Sequence, residues 1–363
     1  MTSDLVLDAL RGVHDPDLRT DIVSLKFVKE VQVADGRAAF TIELSSPSAV
    51  AREQVRERAS AAVAAVPGIT AVDVTMSFSV RSTSAPEHGK PPLPGVKNVI
   101  AVGAGKGGVG KTTVAVNLAV ALSKLGARVG MLDGDIYGPN VPLMFGLQAQ
   151  LQMDGKMIRP AEKYGIQIVS IGFLAQEDAP MIWRGPMLHS AIQQFCRDVS
   201  WKELDYLIVD MPPGTGDVAL SLSQTVPAAG AIVVTTPQQV SLADSKRAVR
   251  MYQKLNIPTL GMVENMAFYE CTNCHHEADI FGHGGGEQMA RQLDVPFLGR
   301  LPIYQPIRVG GDRGIPLVIA EPESVAARAF TALAEATVIQ IAVAAQKNAI
   351  THKGKIPLMQ IKS

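Results

Sequence analysis

Cysteine is scarce in this chain, three in 363 residues. So few in a chain this long cannot build a disulfide framework. Two of them, Cys271 and Cys274, share the stretch ECTNCHHE, and in a reducing compartment a close pair more often binds metal or does redox chemistry. Charge imbalance is also missing, with 34 basic and 34 acidic residues. That removes the electrostatic footprint of a generic phosphate-backbone binder, and no nucleic-acid partner is expected. No apolar run reaches the roughly eighteen residues of a membrane span, ATVIQIAVAA coming nearest, so no membrane association is expected. The start, MTSDLVLDALRGVHDPDL, mixes acids among its apolar positions and lacks a basic opening. A signal peptide is therefore not expected and a cytoplasmic protein is. There is no internal repeat. What is present, 47% apolar and 19% charged residues, is an ordinary globular composition long enough for more than one domain.

The composition shifts at RSTSAPEHGKPPLPG, residues 81–95, where four prolines gather with glycine and small polar residues. This predicts a linker. Residues 1–80 read as a small α+β domain. A helical pattern covers 4–13, KFVKEVQVADGRAAFTIEL alternates as two strands around Asp35-Gly36, EQVRERASAAVAAV has helical period, and ITAVDVTMSF closes as a strand. Residues 96–348 alternate strand and helix, predicting a doubly wound, mostly parallel α/β domain. NVIAVGA, ARVGMLD, YLIVD, AIVVTT, PTLGMVEN and VPFLG are apolar runs without alternation, as strands buried on both faces require. An alanine-rich closing helix is expected over 322–347. Residues 349–363 form a tail with no clear period.

Gly105, Lys106, Gly107, Gly108, Val109, Gly110, Lys111 and Thr112 fit G-x-x-x-x-G-K-[ST], and Thr113 follows. The context is right, an apolar strand before and an amphipathic helix after. Glycines let successive backbone N–H groups turn toward phosphate oxygens, and the helix directs its positive end at the same anion. Lys111 would reach the β- and γ-phosphates, and Thr112 would bind Mg²⁺. The plainer possibility is a glycine-rich turn that binds nothing. MLDGDIYGPN places Asp133 and Asp135 two residues apart, on one side if the strand continues. A carboxylate there could orient a water or support the metal, or the stretch could be only a turn. YLIVDMPPGTGD ends an apolar strand in Asp210, the Walker B arrangement, with a switch-like loop after it.

KGGVGKTT resembles the deviant P-loop of the MinD, ParA, nitrogenase iron protein and Mrp group. The resemblance implies ATP as the nucleotide and a homodimer in which Lys106 crosses the interface to the partner's phosphates. It also implies that Asp135 is the switch I carboxylate needed for hydrolysis, that Asn265 contacts adenine, and that Pro302 lines the same pocket.

Cys271 and Cys274 can hold one edge of a metal or cluster but cannot complete four-coordinate binding. Three readings remain open from the residues. A two-fold dimer could bring four thiolates to a shared [4Fe–4S] cluster. A zinc site could recruit two of His275, His276 and His283. The pair could also be a thiol–disulfide couple, although it does not open a helix in a thioredoxin-like unit. VENMAFYECTNCHHEADIFGHGGGEQMA resembles the Mrp/ApbC branch of the group, and the match runs from about Leu93 to Ala320. It implies an ATPase that carries a [4Fe–4S] cluster at a dimer interface, with cluster donors or scaffolds and apo iron–sulfur proteins as partners. VHDPDLRTDIVSLKFVKEVQV resembles the iron–sulfur-assembly domain often fused ahead of such ATPases. Where many of those domains have a cysteine, this chain has Ala49, so a docking role is expected instead. The alternatives implied are a ParA- or MinD-like positioning switch, and a reductase like the nitrogenase iron protein. Met211 to Asp217 lacks the cysteine that a reductase would need. Cys196, at helical spacing in AIQQFCRDV, is expected to be a small apolar core residue.

Overall fold

Asp35 and Gly36 both adopt left-handed backbone, with φ of 49° and 77°, the pair of conformations that a two-residue hairpin between twisted strands requires. In the computed structural model they join β1 (Val28–Ala34) to β2 (Arg37–Leu44), after α1 (Ser3–Leu10). The described residues are 3–45, 48–83, 93–135, 138–148, 152–173, 190, 193–195, 197–214, 216, 228–271, 273–274 and 276–353. Helix α2 (Ala49–Ala64) starts where the Ser48 side chain accepts the Ala51 N–H at 3.3 Å, so Ala49 is its first residue. Strand β3 (Ala71–Phe78) then pairs parallel to β2. Val6, Leu10, Phe27, Phe40, Ile42, Val55 and Val63 form the core, and β2 alternates between buried and partly exposed positions as a one-sided sheet should. This is the first of two units. It comprises the residues up to Arg81 and, at the other end of the chain, those from Val338 onward. Within it Gln346 Nε2 donates to Thr20 Oγ1 at 3.4 Å.

The second unit, Ser82–Thr337, is built on β4 (Val96–Ala104), α3 (Lys111–Lys124), β5 (Val129–Asp133), α4 (Val141–Met144), the hairpin β6 (Gln152–Asp154) and β7 (Met157–Arg159), β8 (Ala161–Lys163) and β9 (Ile166–Ser170). Then come β10 (Leu204–Asp210), β11 (Gly230–Thr235), α5 (Gln239–Lys254), β12 (Thr259–Glu264), the hairpin β13 (Tyr269–Glu270) and β14 (Glu277–Ala278), α6 (Gly285–Gln292), β15 (Phe297–Arg300), α7 (Gln305–Arg313), α8 (Leu317–Ala320) and α9 (Val325–Lys353). Eight strands form one sheet in the order β15-β12-β11-β4-β10-β5-β9-β8. All pairings are parallel except β8 with β9. Every residue of β5, β10 and β11 is buried, which is why these strands read as unbroken apolar runs. The fold is thus a P-loop NTPase-type parallel sheet with a small α+β unit before it. From β4 the chain fills one side of the sheet and later the other. The crevice at the carboxyl ends beside β4 is therefore the topological switch point where such sheets bind ligands.

Six strands stand where the apolar runs place them. Strands β8 and β9, and both small hairpins, come from sequence without an apolar run of that kind. The linker's residues 84–92 and Cys196 lie outside the described residues. Helix α9 continues through Lys353, five residues into the tail. Its stretch Val325–Gln346 is long and apolar enough to cross a membrane by composition, with mean hydropathy 1.4. It contains Arg328 and Glu335, and although Phe330, Leu333, Ala334 and Val338 are buried, only 39% of its apolar window is.

Candidate nucleotide site and cysteine hairpin

Parallel register sets Asp210 of β10 beside Val102 of β4 and Asp133 of β5, and sets Asp133 beside Ser170 of β9. Three carboxyl-end positions are thereby brought next to the loop that leaves β4. That loop turns through Gly108 and Gly110 with φ of 80° and 79°. At Gly110 a side chain is excluded twice, since a Cβ there would also come within 2.3 Å of Asn265 Nδ2. Gly105 is excluded by packing, its Cβ position lying 2.2 Å from the carbonyl carbon of Asp244 on α5. Helix α3 then begins at Lys111, in line with the loop.

Lys111 and Asp210 are both buried, and Lys111 Nζ lies 2.7 Å from Asp210 Oδ1. Thr112 Oγ1 donates to the other oxygen, Oδ2, at 2.7 Å. Burial pushes the Asp210 carboxyl above the usual range, while Lys111 and Thr112 draw it back. Asp135 Oδ2 is 3.4 Å from Lys111 Nζ. Its Oδ1 is buried and has no hydrogen-bond partner among the described residues. Asp133 points the other way. It is fully buried, accepts the Ser170 hydroxyl at 2.9 Å, and takes the N–H groups of Asp135 and Val141 at 3.1 and 3.2 Å. Burial, and then the charge of Asp210, raise its carboxyl to about 7. The strand ends at Asp133, so the two aspartates do not share a side as a continued strand would have them. Asp133 shapes the turn and Asp135 faces the cavity. The hydroxyl of Thr112 and the carboxylates of Asp210 and Asp135 are hard oxygen donors, a set that fits Mg²⁺.

Lys106, Gly107, Gly108, Lys111, Asp135 and Pro213 are among the residues lining a cavity of 360 Å³. A larger cavity of 560 Å³ adjoins it, sharing Gly110, Thr112, Thr113 and Asn140. Asn265 and Pro302 both line this second space, with Met266, Phe281 and Tyr304. One end is therefore charged and rich in backbone N–H groups, and the other is largely apolar. Asn265 spends its Nδ2 on the carbonyl of Val109 at 2.9 Å, fastening β12 to the loop, and Val109 is buried.

The cysteines sit at the tip of the β13–β14 hairpin, where Tyr269 pairs with Ala278 and Glu270 with Glu277. The Cys271 N–H donates to the carbonyl of His276 at 3.1 Å, closing the turn. Cys271 is half-buried, Cys274 is exposed, and both are thiols rather than a disulfide. Among the described residues no group of three or more His, Cys, Asp or Glu side chains is gathered as a metal site. His276 and His283 therefore do not complete one with the cysteines, and His275 lies outside the described residues. The hairpin grows directly from the walls of the larger cavity. The Ala267 N–H donates to Leu301 at 2.9 Å, the Ile303 N–H to Phe268 at 2.6 Å, and Tyr269 bridges to Ile303.

Sequence reasoning missed a charged cluster here. Glu264, at the end of β12, is fully buried, accepts the Gly286 N–H, and lies 3.8 Å from Arg300 Nε. Arg300 Nη2 lies 3.4 Å from Asp279 Oδ1, and the guanidinium stacks 5.1 Å from the centroid of Phe268. Burial pushes the Glu264 carboxyl upward, against the Gly286 N–H and Arg300. Opposite charges at the ends of two adjacent apolar strands, PTLGMVEN and VPFLGR, were the available signal.

Fold and loop together define a protein of the P-loop NTPase class. The description "NUBPL iron-transfer P-loop NTPase" matches residues 95–338, and "Iron-sulfur cluster assembly protein" matches residues 3–76. The iron-sulfur cluster carrier protein of Synechocystis is 46% identical over 95% of this chain and 99% of its own length. That of Escherichia coli is 40% identical over 93% of this chain and 92% of its own. Among solved structures, a nucleotide-binding protein of Archaeoglobus fulgidus in complex with ADP has a TM-score of 0.56 and 36% identity, covering 64% of this chain and 91% of that one. The cell division ATPase MinD of Pyrococcus furiosus has 0.50 and 25%, covering 66% and 97%. The chain belongs to the NUBPL iron-transfer P-loop NTPase family, with an iron–sulfur-assembly domain ahead of it.

Proposed function

We propose that this protein is a cytoplasmic, ATP-hydrolysing iron–sulfur cluster carrier. Two copies would hold a [4Fe–4S] cluster on Cys271 and Cys274 of each and pass it to apo-proteins, receiving it from a donor or scaffold. The observation that carries this reading is the hairpin itself, two thiols at an exposed tip, continuous with the strands that wall the larger cavity. Two donors from one chain leave a four-iron cluster half ligated, and a two-fold axis supplies the other two. The relatives named as cluster carriers support the same reading.

ATP would lie with its phosphates in the smaller cavity and its base in the larger, near Asn265 and Pro302. Gly105 to Thr113 would wrap the phosphates, and Lys111 would leave Asp210 to bind them. Thr112 and Asp210 would hold Mg²⁺, which when bound neutralises phosphate charge. Asp135, which has one carboxylate oxygen with no partner among the described residues, would orient the attacking water and hold it in line. Lys106 would reach the phosphates of the second copy. The small front unit would dock donor or recipient proteins, since Ala49 offers no thiol.

Anaerobic reconstitution tests the assignment. The wild-type protein should take up about four iron and four sulfide per dimer. Cys271→Ala with Cys274→Ala should take up none while ADP affinity is kept. A double variant that retains the full visible absorbance refutes the reading, and stoichiometric zinc in place of iron would support the single-chain zinc alternative.

A further inference from the structure

The Arg300 cluster lies between the two sites and serves neither directly. Its arrangement has three parts. Arg300 Nη2 is 3.4 Å from both Asp279 Oδ1 and His283 Nδ1, and His283 Nδ1 is 3.1 Å from Asp279 Oδ2. Asp279 and His283 are thus held together at one guanidinium, and they bracket Phe281 two residues to either side. Phe281 is a wall of the larger cavity, yet it is 37% exposed. On the other flank Asp279 directly follows β14, the strand that pairs with β13 to present the thiols.

The contact with Glu264 is incompletely made. Glu264 Oε1 and Arg300 Nε are buried and have no hydrogen-bond partner among the described residues, and they lie 3.8 Å apart. A small further approach would turn that distance into a charge-assisted hydrogen bond. Glu264 cannot move to meet it cheaply, because its Oε2 holds the Gly286 N–H and a neighbouring residue, Asn265, is fastened to Val109. Closure of the pair must therefore come from Arg300 and the loop it holds.

We propose that Arg300 is a positioning residue that couples the nucleotide cavity to the thiols, through Phe281 on one side and Asp279 with β14 on the other. A base filling the cavity presses on Phe281, the bracketed loop shifts with it, and the cysteine hairpin changes its exposure. By linkage, loading the thiols then alters nucleotide affinity by the same factor. This deepens the carrier reading by naming the elements that would link nucleotide state to the cargo.

The test is the iodoacetamide alkylation rate of Cys271 and Cys274, read by peptide mass spectrometry on the full-length protein with and without saturating Mg·ADP. The wild-type rate should change by at least about fivefold on adding nucleotide. In Arg300→Gln the ratio should collapse to about one, with ADP still bound, and Arg300→Lys should restore part of it. Asp279→Asn, at a half-exposed position outside the core, should uncouple in the same way and decides the matter if the Arg300 variant fails to fold. A wild-type ratio near one, or a full ratio in Asp279→Asn and Arg300→Gln, overturns the proposal. Its failure is separable from that of the carrier reading. A cluster that forms while alkylation ignores ADP defeats only the coupling. ADP-sensitive thiols that never load a cluster defeat only the carrier.

Discussion

The phosphate loop and the cysteine hairpin lie at the same carboxyl edge of one sheet and are built in opposite ways. At the loop, Lys111 and Thr112 are each tied to Asp210 at 2.7 Å, and Asp133 is tied to the Ser170 hydroxyl at 2.9 Å and to backbone N–H groups. At the hairpin, a pairing of two residues per strand carries two thiols toward solvent. The first arrangement keeps its charged groups paired and held in place, and anion binding there exchanges Asp210 for phosphate at Lys111. The second leaves its ligands accessible and short of a full set, which suits cargo that must be taken up and released. An enclosed, internally bonded loop and an open, lightly paired hairpin thus stand at the carboxyl ends of different strands of the same sheet.

The sharpest way to break this comparison is at the loop. Lys111→Ala removes one partner of a buried charge pair and should weaken ADP binding by about a hundredfold or more, measured calorimetrically. Thiol alkylation at the hairpin should remain near the wild-type rate without nucleotide. Equal damage at both ends would mean that they are not separate constructions. If Asp135 orients the attacking water as proposed, Asp135→Asn should lower ATP turnover by about a hundredfold while ADP affinity stays within about threefold. A parallel loss of affinity would move Asp135 into the binding set.

The smallest effect concerns Asp133, and its sign can be worked out. Its carboxyl is raised to about 7 in the folded chain, above the ordinary value near 4 in the unfolded one. Between those values the folded state holds the extra proton, so the favourable contribution is whole below about pH 4 and is lost as pH rises through about 7. The slope is at most about 1.4 kcal/mol per pH unit. Asp210 and Glu264 are pushed in the same direction. Asp133→Asn should therefore flatten, without abolishing, the fall in urea midpoint between pH 5 and pH 7. An unchanged slope would show that Asp133 is charged throughout.

Much of this is legible in the amino-acid sequence alone. Unbroken apolar runs announce β4, β5, β10, β11 and β12 because burial on both faces leaves no polar alternation, β15 reads the same way although it is a partly exposed edge strand, and Asp35-Gly36 announces its hairpin because few other pairs take that backbone. The glycine loop is legible because Gly105, Gly108 and Gly110 each answer a steric or conformational demand. Strand β8 was not, since Ala161, Glu162 and Lys163 have neither an apolar run nor a turn signal and are a strand only because β9 lies beside them. Ser170 was invisible for a related reason, as its contact with Asp133 spans 37 positions and exists only in the register of β5 with β9. Glu264 and Arg300 carried a signal, a lone charge at the end of each apolar strand, but their pairing depends on which strands are neighbours.

Strand β8 also has a colloidal consequence. It is three residues long, runs against the direction of the sheet, and presents Glu162, which is paired with Lys202 at 3.0 Å. Such a rim resists recruiting another molecule's backbone, which protects against fibrillar growth from that side even when the protein is concentrated.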